Sequence, residues 1–223
     1  MRRKAPGPFQ AVDRDLKFAR TEAEARYFGL EVEDVDKTHR PWGGFIKFRH
    51  SSLETFRRVY WTYGLTKQWK KRLDEVWGRV EARRRGLGLD AKLLLVAPGQ
   101  RLSLQYHTRR AEYWRVIEGP VLVTVGTNEG NLSDLALRVG DVIRIGEGTW
   151  HRAEAHAQGW AVIAEFWEHT RPSPRKGADP EADVVRVDDD YVRVKVRVTL
   201  RTGRGTIGQV FAPWDLMSRH RTV

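Results

Sequence analysis

Cysteine is absent from all 223 residues. That excludes disulfides, thiolate catalysis and sulfur-ligated metal sites, and leaves imidazole, carboxylate, amide and water as the available metal ligands. No run of about 18 apolar residues occurs, so no transmembrane helix is expected. The opening MRRKAPGPFQ is basic but has no apolar segment behind it, so no secretory signal is expected. A cytoplasmic protein without a membrane partner follows as the expectation. Internal repeats and low-complexity tracts are lacking too. So are zinc-finger, RRM, KH and helix-turn-helix patterns, which argues against a nucleic-acid partner. The net charge of +11, from 40 Lys and Arg against 29 Asp and Glu, then reads as a solvated basic surface or as attraction to small anions such as phosphorylated metabolites.

What is present changes character along the chain. Residues 1–39 form a polar lead-in, where Thr21 and Glu24 have the spacing of a capping box and predict a short helix through Ala25 and Tyr27. Arg40-Pro41-Trp42-Gly43-Gly44 then leads into a short apolar strand at 45–48. Residues 51–88 are helical in pattern: Ser51 and Glu54 suggest a second capping box, Gly64 a break, and 67–85 a helix whose Trp69, Leu73, Val76 and Val80 share one face. The rest of that helix is strongly basic. It is expected to pack or dimerise, with a cationic lid over a phosphorylated ligand as the alternative. From Ala91 onward short Val, Leu and Ile runs alternate with glycine-rich turns. They predict strands at 92–97, 101–106, 112–117, 120–125, 135–138, 141–145 and 160–167, the pattern of a sandwich or barrel. A Pro, Lys and Asp linker at 170–182 precedes an alternating strand at 192–200 and a further one near 207–211.

The chemistry is concentrated in two stretches. In Gly99-Gln-Arg-Leu-Ser-Leu-Gln105-Tyr-His107, the two polar residues at i and i+2 share one strand face. A turn over 108–111 reverses the chain, and Glu112 opens the next strand toward the same point. A second histidine arrives in Gly140-Asp-Val-Ile-Arg-Ile-Gly146-Glu-Gly148-Thr-Trp-His151. Two imidazoles, a carboxylate and an amide oxygen suit one borderline divalent ion such as Zn, Mn, Fe, Co or Ni. The other use for Glu112 is an exposed ion pair with Arg109 or Arg110, which would contribute little.

These spacings resemble the two motifs of the cupin superfamily, with Gln105 where many cupins carry a first histidine. Arg40-Pro-Trp-Gly43, Pro98 through His107, Arg110-Ala-Glu-Tyr-Trp114, His151-Arg152 and Asp189-Asp-Tyr-Val-Arg193 narrow the resemblance to the type II mannose-6-phosphate isomerase family. Departures from the pattern fall at Gly146, Ala155, Tyr113, Trp167 and Val192. The resemblance implies a mainly β fold, a cupin-type double-stranded β-helix or jelly-roll barrel. The cupin domain would span 40–200, with a helical insertion at 51–88 and extensions at 1–39 and 201–223. It also implies a homodimer and a metal-dependent isomerase that converts mannose 6-phosphate to fructose 6-phosphate.

In that reading Gln105, His107, Glu112 and His151 hold the metal, and Arg193 binds the substrate phosphate with Arg40 as a second anion contact. Glu165 or Glu147 is the base, since the reaction needs an acid/base group near the metal but not on it. Ligation requires neutral imidazoles, so activity should fall in acid. Three other functions fit parts of the same sequence: a cupin oxygenase using iron, a non-catalytic sugar-phosphate binder, and a nucleic-acid binder acting through the helix at 67–85.

Overall fold

The computed structural model describes residues 8–82, 89–171, 183–191, 200–202 and 205–207. Among the described residues, alternating side chains and glycine turns produce eleven strands in the main unit: β1 (Val32–Asp36), β2 (Gly43–Phe48), β3 (Leu89–Val96), β4 (Leu104–Tyr106), β5 (Arg110–Glu118), β6 (Val121–Gly126), β7 (Leu132–Leu137), β8 (Val142–Ile145), β9 (Trp150–Ala155), β10 (Ala161–His169) and β11 (Val185–Asp188). They form two antiparallel sheets, ordered β1-β2-β3-β10-β5-β8 and β11-β4-β9-β6-β7. This is the expected jelly roll of the cupin type, with β1 and β2 added to one sheet and β11 to the other. Leu200–Thr202 (β12) and Gly205–Ile207 (β13) pair as a separate hairpin in a second unit.

Gly43 and Gly44 explain why two glycines begin β2. At Gly43, with φ of +143°, a Cβ would stand 1.9 Å from the carbonyl oxygen of Leu95 on the neighbouring strand. At Gly44 it would stand 2.0 Å from that of Asp36. Only residues without a side chain allow this close approach of three strands.

Helices α1 (Pro8–Tyr27), α2 (Leu53–Tyr60) and α3 (Lys67–Ala82) bury their apolar faces with the six-stranded sheet. Phe166, fully buried, meets Trp61 and Trp77 edge-on with ring centroids at 4.8 and 4.7 Å, and stacks on Tyr113 at 4.5 Å. Arg115 donates to the carbonyls of Tyr60 and Tyr63, which holds the end of α2 against β5. The insertion is therefore a packing element on the sheet's outer face, with Leu73 and Val76 in the core as the helical periodicity predicts.

Two local expectations are corrected. Thr21 caps nothing: α1 begins at Pro8, and the Thr21 hydroxyl donates to the carbonyl of Lys17 one turn earlier, at 2.9 Å. Ser51 and Glu54 form no capping box either. The Ser51 hydroxyl donates to Glu31, Ser52 accepts from the Glu31 amide, and α2 has no side-chain cap. Three strands go beyond the expected set: β1, β9 and β11. The linker at 172–182, the strand at 192–199, Arg193 and the end of the basic helix at 83–85 lie outside the described residues.

Candidate metal centre

Strand pairing brings the chemistry into the space between the sheets. On the six-stranded sheet, β10 lies between β3 and β5, so Trp167 stands opposite Glu112, and Glu165 opposite both Trp114 and Lys92. On the other sheet, Gln105 of β4 pairs with His151 of β9. Side chains alternate across each strand. Glu112, Trp114, Glu165, Trp167 and Lys92 therefore face inward, while Tyr113 and Phe166 face the helices.

His107, Glu112 and His151 converge there, each offering one ligand atom within 4.8 Å of the others. Their exposures are 1%, 1% and 0%. Glu112 Oε1 lies 2.9 Å from His107 Nε2, and Oε2 lies 3.3 Å from His151 Nε2. Both imidazoles are oriented from behind. His107 Nδ1–H donates to the carbonyl of Asp183, and His151 Nδ1–H to that of Thr149 at 2.8 Å. The Nε2 lone pairs are thereby turned toward Glu112.

Among the described residues, neither Glu112 Oε2 nor His151 Nε2 has a hydrogen-bond partner. Two buried acceptors facing each other at that distance require positive charge between them. Arg110 supplies some from one side, with Nη2 3.0 Å from Glu112 Oε1 and 3.3 Å from His107 Nε2. The Glu112 and Arg110 pair is thus fully buried, not the exposed contact considered from the sequence. Burial pushes the Glu112 carboxyl up, but His107 and Arg110 beside it more than compensate, so it stays ionised and well below its usual range. The donor set and the two orphaned atoms fit a divalent cation held by Glu112 and the two histidines.

The remaining expected residues lie as follows. Gln105 is half-buried, and its amide oxygen accepts from Ser103 Oγ at 3.1 Å. A carbonyl oxygen keeps a second lone pair, so this bond leaves room for ligation. Glu165 is buried: its Oε2 accepts from Trp114 Nε1 at 2.9 Å, and its Oε1 lies 3.4 Å from the Lys92 ammonium. Trp114 also meets the ring of His151 edge-on at 5.4 Å, so Glu165 and the histidine share one wall. Glu147 sits toward the surface, paired with Arg171 at 3.1 Å. Arg40 pairs with Asp36 at 2.9 Å and covers the ring of Phe45.

Lys92 and Asp183 escaped the sequence reading, and Arg110 was read there as an exposed partner of Glu112, whereas it is buried. Lys92, a lone charge in the apolar run Ala91 to Val96, lies between the rings of Phe45 and Trp167 at 5.2 and 4.5 Å. Arg110 covers the other side of Trp167 at 5.1 Å. From Arg40 to Arg110 the wall thus alternates cations with aromatic rings. Both lysine and arginine had a readable signal: Lys92 interrupts an apolar strand, and Arg110 stands two residues from Glu112. Asp183 had none.

A family match agrees with this architecture. Residues 64–165 match the mannose-6-phosphate isomerase C-terminal family. Among curated relatives, mannose-1-phosphate guanylyltransferase ManC of Salmonella typhimurium is 31% identical over 119 residues, which is 53% of this chain and 22% of that protein. Xanthan biosynthesis protein XanB of Xanthomonas campestris pv. campestris is 38% identical over 58 residues, 26% of this chain and 12% of that protein. The chain therefore spans less than a quarter of the relatives it matches. Among solved structures, the capsular polysaccharide assembling protein CapF of Staphylococcus aureus aligns with 72% of this chain and 34% of that chain, at 12% identity and a TM-score of 0.43. Oxalate decarboxylase of Lactobacillus farciminis aligns with 44% of this chain and 26% of that chain, at 16% identity and a TM-score of 0.36. The matched segment is a cupin barrel of the mannose-phosphate isomerase type, distantly related to enzymes of sugar-nucleotide synthesis.

Proposed function

We propose that this protein is a metal-dependent sugar-phosphate isomerase that interconverts mannose 6-phosphate, or a related aldose phosphate, with its ketose. The reading rests above all on the facing pair of Glu112 Oε2 and His151 Nε2, buried acceptors 3.3 Å apart that call for a cation. His107, Glu112 and His151 would hold it, with Gln105 as a fourth ligand. When bound, the ion supplies Lewis acidity for two adjacent sugar oxygens.

The chain's own residues account for the rest. Glu165 takes the proton from C2 of the aldose and returns it to C1. Trp114 fixes the orientation of its carboxylate, and the Lys92 ammonium balances its charge. Trp114 and Trp167, at 1% and 0% exposure, keep water from the reacting carbons. Positive charge at Lys92 and Arg110, with Arg40 farther along the same wall, favours an anionic substrate. Arg193, outside the described residues, is the expected phosphate contact by likeness to the family, an arginine being suited to a phosphate. Glu165 is preferred over Glu147 because it is buried beside the Trp114 wall, whereas Glu147 is tied to Arg171.

The test is to supply metal-free protein with Mn, Zn, Co, Ni or Fe and follow formation of fructose 6-phosphate from mannose 6-phosphate. Turnover that depends on the ion, and is lost in Glu165→Gln, supports the proposal. A protein that binds an ion yet turns over neither this substrate nor other aldose phosphates refutes it.

A further inference from the structure

The turn after β4 carries His107, Thr108 and Arg109 outside any strand. Its amides have no ladder to pair with. Asp183, which is buried and comes from a segment 76 positions later, supplies the partners. Its Oδ1 accepts from Thr108 N at 3.2 Å and from Thr108 Oγ1 at 2.7 Å, and its Oδ2 accepts from Arg109 N at 2.9 Å. Arg109 Nε lies 3.7 Å from Oδ1. The carboxylate thus grips the turn from three hydrogen bonds, and this grip brings the backbone carbonyl of residue 183 onto His107 Nδ1. Two residues farther on, Val185 and Arg186 pair with Tyr106 and Gln105, so the same segment also borders β4.

We propose that Asp183 is the positioning residue of the metal centre: it holds His107 in the Nδ1–H tautomer, with the Nε2 lone pair aimed at Glu112 and His151. The inference rests on the metal reading above for its consequence, though not for its geometry. A free neutral imidazole shifts its proton between the two nitrogens. A ring with a fixed acceptor behind Nδ1 does not, and its Nε2 is ready to ligate. Asp183 contributes through its carboxylate, which anchors the turn, and through its carbonyl, which accepts the proton. No contact with substrate is needed.

The experiment compares wild type with Asp183→Ala and Asp183→Asn. The first readout is the tautomer of His107 from its ring nitrogen shifts in metal-free protein, at a pH where the ring is neutral. The second is the dissociation constant for Zn or Mn. Wild type should show a protonated Nδ1 and an unprotonated Nε2. Asp183→Ala should show a mixture of tautomers and bind the ion about 10- to 100-fold more weakly, the usual effect of removing a group that orients a ligand. Asp183→Asn keeps one acceptor oxygen and should fall between them.

If Asp183→Ala does not fold, Thr108→Val removes one of the hydrogen bonds to Oδ1 and should weaken binding several-fold. Folded variants that keep the wild-type tautomer and affinity overturn the proposal. If wild type binds no ion, the metal reading fails, while the tautomer comparison still decides whether Asp183 orients the ring.

Discussion

Adding a divalent cation to the metal-free protein is expected to raise its melting temperature markedly. The reason lies in the four atoms contributed by His107, Glu112 and His151, where the carboxylate faces both imidazole Nε2 atoms at 2.9 and 3.3 Å with little access for water. The unfolded chain has no such arrangement, so the ion binds the native state selectively. At a free concentration one hundred times the dissociation constant, the linkage is worth about 2.7 kcal/mol. A domain of this size shifts by about 2 to 4 °C per kcal/mol, so the expected rise is about 5 to 10 °C. Differential scanning fluorimetry with Zn, Mn, Co, Ni and Fe measures it directly. His107→Ala and His151→Ala will each lower the starting temperature, because each leaves a cavity. The informative quantity is therefore the increment on adding the ion, which should largely disappear in both. A wild type unmoved by all five ions, or an increment surviving in the double variant, would refute the reasoning.

Phe166→Ala should cost about 3 to 5 kcal/mol in urea unfolding, because the ring fills the junction of Trp61, Trp77 and Tyr113. A cost below about 1 kcal/mol would mean that the helical insertion packs elsewhere. Glu165→Gln should reduce kcat by about 10²- to 10⁴-fold, with metal content unchanged. Glu147→Gln should leave kcat nearly as it is, and the opposite ranking would exchange their roles. At Asp36, burial pushes the carboxyl up, but the amide of His39 and the charge of Arg40 hold it below its ordinary value. Its stabilisation is therefore complete above the unfolded value of about 3.9 and drains away as pH falls through the lower folded one. Unfolding midpoints measured from pH 6 down to 2 should show Asp36→Asn losing less stability than wild type in that acid window.

Much of the barrel was legible in the sequence because its strands are short apolar runs closed by glycine turns. The convergence of His107, Glu112 and His151 was legible from their spacing, although not by strand alternation alone: His107 lies in the turn after β4, and Glu112 stands on β5 of the other sheet. Strand β9 was not. Trp150-His-Arg-Ala-Glu-Ala155 has no β-branched residue, and its extended form is imposed by the ladder from Val121 to Gly126. The supposed caps at Thr21 and Ser51 failed because their hydroxyls have other partners, Lys17 and Glu31. The buried state of Arg110 was misjudged because only the fold brings Trp167 over its guanidinium. Asp183 is the clearest case of what local pattern misses: its task is defined by a turn some 75 positions away.

That separation also bears on how the protein comes into being. A chain emerging from the ribosome presents His107, Glu112 and His151 well before residue 183 is made. Contacts between distant positions also form late in folding. Until the final segment arrives, the turn after β4 has unpaired amides and the first imidazole has no fixed orientation. Any ion that the centre takes up would then be bound late in biogenesis, and a nascent chain arrested before Asp183 should hold one more weakly than the finished barrel does.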